Sequence, residues 1–285
     1  MLVTGATGFV GRQALAPLAE RGFEVHAVGR REVDLLDADA AAQFVADLQP
    51  THLLHFAWYA EPGAFWESPE NARWLAASTR LLEAFATAGG TRAVVAGTCA
   101  EYDWHGDGVL SEASTPLTPR TTYGAAKNAL HAVAARMGLS LGWGRIFFLY
   151  GPHEDERRLV ASVTNALLAG RPAQTTHGRQ LRDFLHVADV GDAFAALLDA
   201  DVEGAVNIGS GEGVAISDVV RRIAELVGRP DLVELGALEA PPDEPPLLVA
   251  DVGRLRDEVR WRPWRSIDAG LRETVEWWRA SGSAA

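Results

Sequence analysis

The sequence has a single cysteine, Cys99, so no disulfide can form within the chain. That fits a reducing compartment, and 285 residues are enough to bury a core without such a staple. Lysine is almost missing. Of 26 basic residues, only Lys127 is not arginine. No apolar run approaches the roughly 20 residues of a membrane-spanning helix. The opening, Met1-Leu2-Val3-Thr4-Gly5, lacks the basic and apolar regions of a secretory signal, so the expected location is cytoplasmic. Positive charge is short: 38 acidic residues against 26 basic give a net charge of −12, which argues against nucleic acid as a partner. An anionic small substrate would need local arginines. The eight histidines form no cluster with metal-ligand spacing, so no metal site is expected.

Hydrophobic residues make up 48% and charged residues 22%, ordinary globular usage. Short strand patterns at 2–4, 23–28, 53–57, 93–96 and 141–149 alternate with helical patterns ending at Glu20 and Leu48, and at 70–88 and 121–137. Ser68-Pro69-Glu70 has the form of a helix start, with serine as cap and proline in the first turn. Strands alternating with helices predict an α/β fold, a Rossmann-type doubly wound parallel sheet. The dinucleotide-binding domain is placed at 1–151 and a smaller substrate-binding lobe mainly at 152–285, with 180–208 returning to the first unit.

Gly5, Gly8 and Gly11 lie between the first strand and a helix, in Gly5-Ala6-Thr7-Gly8-Phe9-Val10-Gly11. Glycines let backbone approach a pyrophosphate, and the helix offers free N–H groups and its positive end. Gly5, Thr7, Gly8, Phe9, Val10 and Gly11 are therefore assigned to a dinucleotide, with Phe56 and Ala57 at the end of the third strand. At the end of the second strand stand Arg30 and Arg31, with no carboxylate before Glu32. Arginine there suits a ribose 2′-phosphate, so NADP(H) is favoured and NAD(H) is the alternative. The competing reading is that the two are solvated loop charges. Asp34 and Leu35 are assigned to the cofactor side, with Asp34 read either as lying near the adenine or as an exposed turn residue.

Tyr123 and Lys127 are four residues apart in a predicted helix, on one face and one turn apart. An ammonium beside a phenol favours the phenolate and tunes it for proton exchange with a carbonyl or alcohol. Thr98, at the end of the fourth strand, is assigned as a second hydrogen-bonding hydroxyl on the reacting oxygen. Cys99 beside it reads either as a second acid or as a small buried residue. Thr98, Cys99, Tyr123 and Arg145 form the expected substrate-binding set.

Together these residues resemble the extended short-chain dehydrogenase/reductase family, in its NAD-dependent epimerase/dehydratase group acting on nucleotide sugars. The motifs span nearly the whole chain: Thr4 to Gly11; Thr98 four before Tyr102; Tyr123 with Lys127; Tyr150-Gly151-Pro152; Arg182-Asp183-Phe184-Leu185-His186-Val187; and Asn207-Ile208-Gly209-Ser210-Gly211. The resemblance implies that Lys127 also holds the nicotinamide ribose, that Arg182 touches the substrate diphosphate, and that the protein is a homodimer. The chain departs from it in three places. The acid pair that follows the threonine in sugar dehydratases is Cys99-Ala100 here, the asparagine often found near the substrate is Phe148, and no late arginine stands in 241–246.

The expected function is NADPH-dependent reduction of a nucleotide-linked 4-keto-deoxysugar, with Tyr123 as proton donor. The alternative is a nucleotide-sugar 4-epimerase that retains NAD and uses the same residues. A non-catalytic dinucleotide-sensing protein is the third reading, and the intact Tyr123–Lys127 pair argues against it.

Overall fold

The computed structural model describes residues 1–106 and 108–282. Residues 283–285, the end of the expected second lobe, lie outside them. The chain opens with β1 (Leu2–Thr4), α1 (Gly11–Glu20), β2 (His26–Val28), α2 (Ala38–Leu48) and β3 (His52–His55). A short 3-10 turn, Phe65–Glu67, precedes α3 (Glu70–Thr87). β4 (Arg92–Thr98) runs into a second, Cys99–Glu101, ahead of α4 (Thr122–Ala134). There follow β5 (Ser140–Ile146), β6 (Phe148–Tyr150), α5 (Leu159–Leu168), β7 (Ala173–Thr175), β8 (Leu181–His186), α6 (Val187–Asp199) and β9 (Gly204–Ile208). The rest comprises β10 (Gly213–Ala215), α7 (Ile216–Val227), β11 (Val233–Leu235), β12 (Leu247–Leu248), α8 (Gly253–Asp257) and α9 (Ile267–Gly282).

One sheet has the order β2-β1-β3-β4-β5-β9, every pair parallel. Its middle is apolar because helices cover both faces, and β4 is buried along its whole length. Ala14, Leu18, Phe194 and Leu197 pack on one face; Leu81, Leu82, Phe85 and Leu130 pack on the other. Strand order reverses between β1 and β3, so the loops leaving their carboxyl ends part and leave a crevice. This is the Rossmann-type α/β architecture that the alternation predicts.

A second sheet, β10-β8-β12 with β6 also on β8, stands beside a short β7–β11 pair. α5, α7 and α9 pack around it through Val163, Leu167, Val220, Ile223, Leu271 and Val275. Of the 180–208 segment, β9 joins the first sheet and α6 packs in its core, whereas β8 lies in the second sheet.

The expected strand at 141–149 is two strands. Phe147 donates its N–H to Ile208 O at 3.1 Å, and the next three residues leave to pair with β8. An apolar run shows that a strand is buried but not which sheet it joins. The expected strand at 23–28 pairs only over its last three residues. Phe23 instead donates its N–H to Leu18 O at 3.1 Å, closing α1.

Candidate active site

The glycine loop folds tightly over itself. Gly8 donates its N–H to Gly5 O at 2.9 Å. Gly5 has φ +68°, and a β-carbon there would lie 2.7 Å from the Ala57 nitrogen; one on Gly11 would lie 2.2 Å from Gly5 O. Only glycine permits both the left-handed turn and this close approach. Arg12 arches over the loop, donating to Thr7 O at 2.6 Å and Gly8 O at 3.1 Å. Beneath it, Thr4 Oγ1 meets His55 Nδ1 at 2.6 Å, and His55 Nε2 meets Ser78 Oγ at 2.9 Å. Burial pushes His55 down to about 3, so this relay is uncharged at neutral pH.

A cavity of about 1080 Å³ runs from this loop across the sheet's carboxyl edge to the second lobe. Gly5, Gly8, Phe9, Val10, Gly11, Arg30, Phe56 and Ala57 line it. Thr7, Arg31 and Asp34 stand outside its wall. Leu35 is buried in the core, and its neighbour Leu36 lines the cavity instead. The β2 end carries both signs of charge. Arg30, 82% exposed, pairs with Asp34 at 3.6 Å, while the Glu32 carboxylate accepts the Gly29 N–H at 2.8 Å.

Thr98, Tyr123 and Lys127 meet in the middle of the cavity. Thr98 closes β4 and caps the turn that follows: its hydroxyl accepts the Ala100 N–H at 3.2 Å, and its own N–H goes to Glu101 Oε1 at 2.9 Å. Thr121 caps α4 by accepting the Gly124 N–H, which sets the helix face carrying Tyr123 and Lys127. Thr98 and Tyr123 both line the cavity, and the Thr98 hydroxyl is near enough to favour ionisation of the Tyr123 phenol. Lys127 Nζ donates to Ala96 O at 2.8 Å and lies 3.9 Å from the centre of the Trp58 ring.

The electrostatics differ from the expected tuning. Burial raises the Tyr123 phenol above its ordinary value, against the Thr98 hydrogen bond and the Arg158 charge. Burial also pulls Lys127 down to about 7, with Glu101 holding it up. Burial thus favours the neutral form of both groups, the phenol of Tyr123 and the amine of Lys127.

The substrate side lies farther along. Arg182 lines the cavity, 3% exposed, and donates to Glu244 Oε1 at 2.9 Å and to Leu181 O at 2.9 Å. Its guanidinium lies over Phe148, 5.4 Å from the ring centre. The cavity thus joins a dinucleotide-type loop, a Thr–Tyr–Lys set and a buried arginine.

A profile described as the NAD dependent epimerase/dehydratase family matches residues 1–209. The chain belongs to that family.

UDP-glucose 4-epimerase of Corynebacterium glutamicum is 28% identical over 301 residues, covering 92% of this chain and 90% of the relative. The UDP-glucose 4-epimerase of Thermus thermophilus, solved with NAD, superimposes with a TM-score of 0.87 at 27% identity, over 98% of this chain and 99% of that one. MoeE5, solved with UDP-glucose and NAD, gives 0.83 at 31% identity, over 98% of both chains. As a member of this family the protein is an NAD(P)-dependent nucleotide-sugar epimerase or oxidoreductase.

Arg145 is a correction. Its expected place is at the substrate, yet it lies 1% exposed beneath the site, outside the cavity wall. It donates to Glu101 Oε2 at 2.7 Å and to the Tyr102 hydroxyl at 2.9 Å. Tyr102 donates its own proton to Asn207 Oδ1 at 2.8 Å. An arginine on a central strand has no water to meet, so it takes a buried carboxylate instead. Cys99 lines the cavity but is buried, and burial pushes its thiol up to about 12. It behaves as a small buried residue and not as an acid.

Two further residues in the wall went unread in the sequence. Arg158 stands before α5, in charge range of Tyr123. Glu154 is 5% exposed, and its Oε2 has no hydrogen-bond partner among the described residues. Burial raises its carboxyl to about 8, against Arg158. Neither belongs to a periodic pattern; their single sequence signal is the turn Tyr150-Gly151-Pro152 just before them.

Proposed function

We propose that the protein is a nucleotide-sugar 4-epimerase that keeps NAD bound and works through Tyr123, Thr98 and Lys127. The observation that carries this reading is one continuous cavity holding the glycine loop, the Thr98–Tyr123 hydroxyl pair and Arg182 in sequence. The residues fit a dinucleotide. The loop is cradled where any side chain would intrude, and the exposed arginines at the β2 end are offset by Glu32 and Asp34. That balance favours a free ribose hydroxyl over a 2′-phosphate.

A nicotinamide bound here supplies hydride acceptance and return. As phenolate Tyr123 takes the proton of the sugar 4-hydroxyl, and as phenol it gives that proton back; the charged form of Lys127 favours the phenolate against burial. Thr98 holds the same oxygen through its hydroxyl, which the capping turn fixes in place. Lys127 orients the ribose and places positive charge near the phenol. Arg182 holds the diphosphate by the bidentate geometry of its guanidinium, exchanging its bond to Glu244 for one to phosphate.

Elimination chemistry is poorly served. Positions 99 and 100 are cysteine and alanine, and Glu101 is committed to Thr98, Trp143 and Arg145. The site is left with proton exchange at one sugar oxygen. The UDP-glucose 4-epimerases among the relatives support the same reading.

One observation favours a second reading: Arg30 reaches the cavity wall, where it would meet a 2′-phosphate during NADPH-dependent ketoreduction. The purified protein separates the two. Denaturation should release stoichiometric NAD, and the native protein should interconvert UDP-glucose and UDP-galactose without added reductant. Protein free of dinucleotide that oxidises NADPH with a 4-keto sugar would replace the epimerase by the reductase.

A further inference from the structure

Aromatic rings crowd the reacting tyrosine. Phe65, Trp66 and Trp58 lie 5.0, 5.9 and 6.4 Å from Tyr123, ring centre to ring centre, each near an edge-on arrangement. Trp66 continues to Trp104 at 6.1 Å. Trp104 packs with Phe148 over one small buried cluster, and Phe148 lies beneath Arg182. Trp66, Trp104 and Phe148 all face the cavity. Trp66 touches Trp104, and Trp104 and Phe148 pack on one cluster, so these rings line the way from the proton donor to the diphosphate arginine. A sugar with its 4-oxygen at Tyr123 and its anomeric phosphate at Arg182 must lie along it.

The wall offers little to a hydroxyl. Trp104 Nε1 is spent on Cys99 O at 2.9 Å and Trp58 Nε1 on Asn71 Oδ1 at 2.9 Å, which leaves Trp66 Nε1 as the one indole donor of these three without a partner among the described residues. Phe65 and Phe148 have no polar atom. A hydroxyl or carboxylate turned to these rings would lose its water without replacement, whereas C–H groups would gain contact. Trp66 keeps 38% exposure, so its ring is open to a ligand in the cavity.

We propose that Trp66, Trp104 and Phe148 are the sugar platform, and that the preferred substrate is a nucleotide-linked 6-deoxyhexose whose methyl group rests on these rings. The inference depends on the assignment of the 4-oxygen to Tyr123. It adds the class of sugar.

The test is calorimetric binding to the protein as purified, with the UDP and dTDP forms of galactose and of 6-deoxygalactose. Within whichever nucleotide series binds, the 6-deoxy sugar should bind about 10- to 100-fold tighter, the range open to one lost hydrogen-bonding group in an apolar site. Trp66→Ala and Phe148→Asn should bring that ratio close to one while free UDP or dTDP affinity changes less than about twofold. Equal affinity of the two sugars, or a preference for galactose, in the wild type would overturn the platform and leave the epimerase reading standing. No binding of any nucleotide sugar would overturn both.

Discussion

The Arg145 guanidinium donates to the Glu101 carboxylate at 2.7 Å, with both side chains all but sealed from solvent. Glu101 also receives the Thr98 N–H and the Trp143 indole N–H. The pair is thus the floor on which Thr98 stands. Removing one partner leaves a buried charge without its counterion, a loss of about 3–5 kcal/mol. Arg145→Met should lower the denaturant midpoint accordingly. Below its own unfolding temperature, it should leave the KM for a nucleotide sugar within about twofold. A large rise in KM with unchanged stability would return Arg145 to the substrate.

Tyr123→Phe removes the proton donor and keeps the ring that Phe65, Trp66 and Trp58 pack against. The expected loss is about 10²–10⁴-fold in kcat with little change in substrate affinity. Steady-state rates beside calorimetric binding check it. A variant that binds tenfold more weakly but turns over normally would make Tyr123 a binding residue only.

Glu154 should make the fold prefer acid. Its carboxyl sits at about 8 in the folded protein against an ordinary value of 4.5, so the folded state holds a proton that the unfolded chain gives up. A raised carboxyl contributes stability below 4.5 and loses it as pH rises through 8. Wild-type protein should therefore lose stability between those values relative to Glu154→Gln, whose amide cannot titrate. Melting temperatures of both proteins across that range decide it; parallel curves would mean that Glu154 is already ionised.

Lys127 works in the opposite direction. Its folded value of about 7 lies below the ordinary 10.5, so the unfolded chain binds more protons between them. Stability should rise with pH across that window and fall again as pH drops through 7. Lys127→Met should remove this rise. The same variant should also turn over much more slowly if, as proposed, the amine orients the ribose.

Gly11→Ala places a β-carbon 2.2 Å from Gly5 O. The loop must open to admit it, and the closest part of the cradle is lost. We expect a folded protein, with unchanged far-ultraviolet circular dichroism, that purifies without dinucleotide. Retention of stoichiometric NAD would show that the loop has slack its geometry does not suggest.

Much of the first sheet was legible in the chain. Buried strands such as β3 and β4 are short apolar runs closed by turn residues, and Gly5 to Gly11 can hardly be anything but a tight loop. The Tyr123–Lys127 spacing marks one helix face, and Thr98 follows from its place at a strand end. Less could be read where the partner matters. Phe147 is one more apolar residue in a run, yet it is where the chain leaves one sheet for another. Leu35 and Leu36 are alike by composition, and only packing sends the second to the cavity.

Local spacing therefore determined the class of fold, the tight glycine loop and the placing of Tyr123 and Lys127 on one helix face, because these depend on φ/ψ limits and helical period over a few residues. The tertiary structure decided which charges are free to act. It buried Arg145 against Glu101, left Glu154 Oε2 without a partner among the described residues and drew Lys127 toward neutrality. It also brought Trp66, Trp104 and Phe148 into one wall from three separate stretches of chain. Burial and counterion distance are properties of the packed molecule. A sequence lists the groups that titrate but not the dielectric in which they do so.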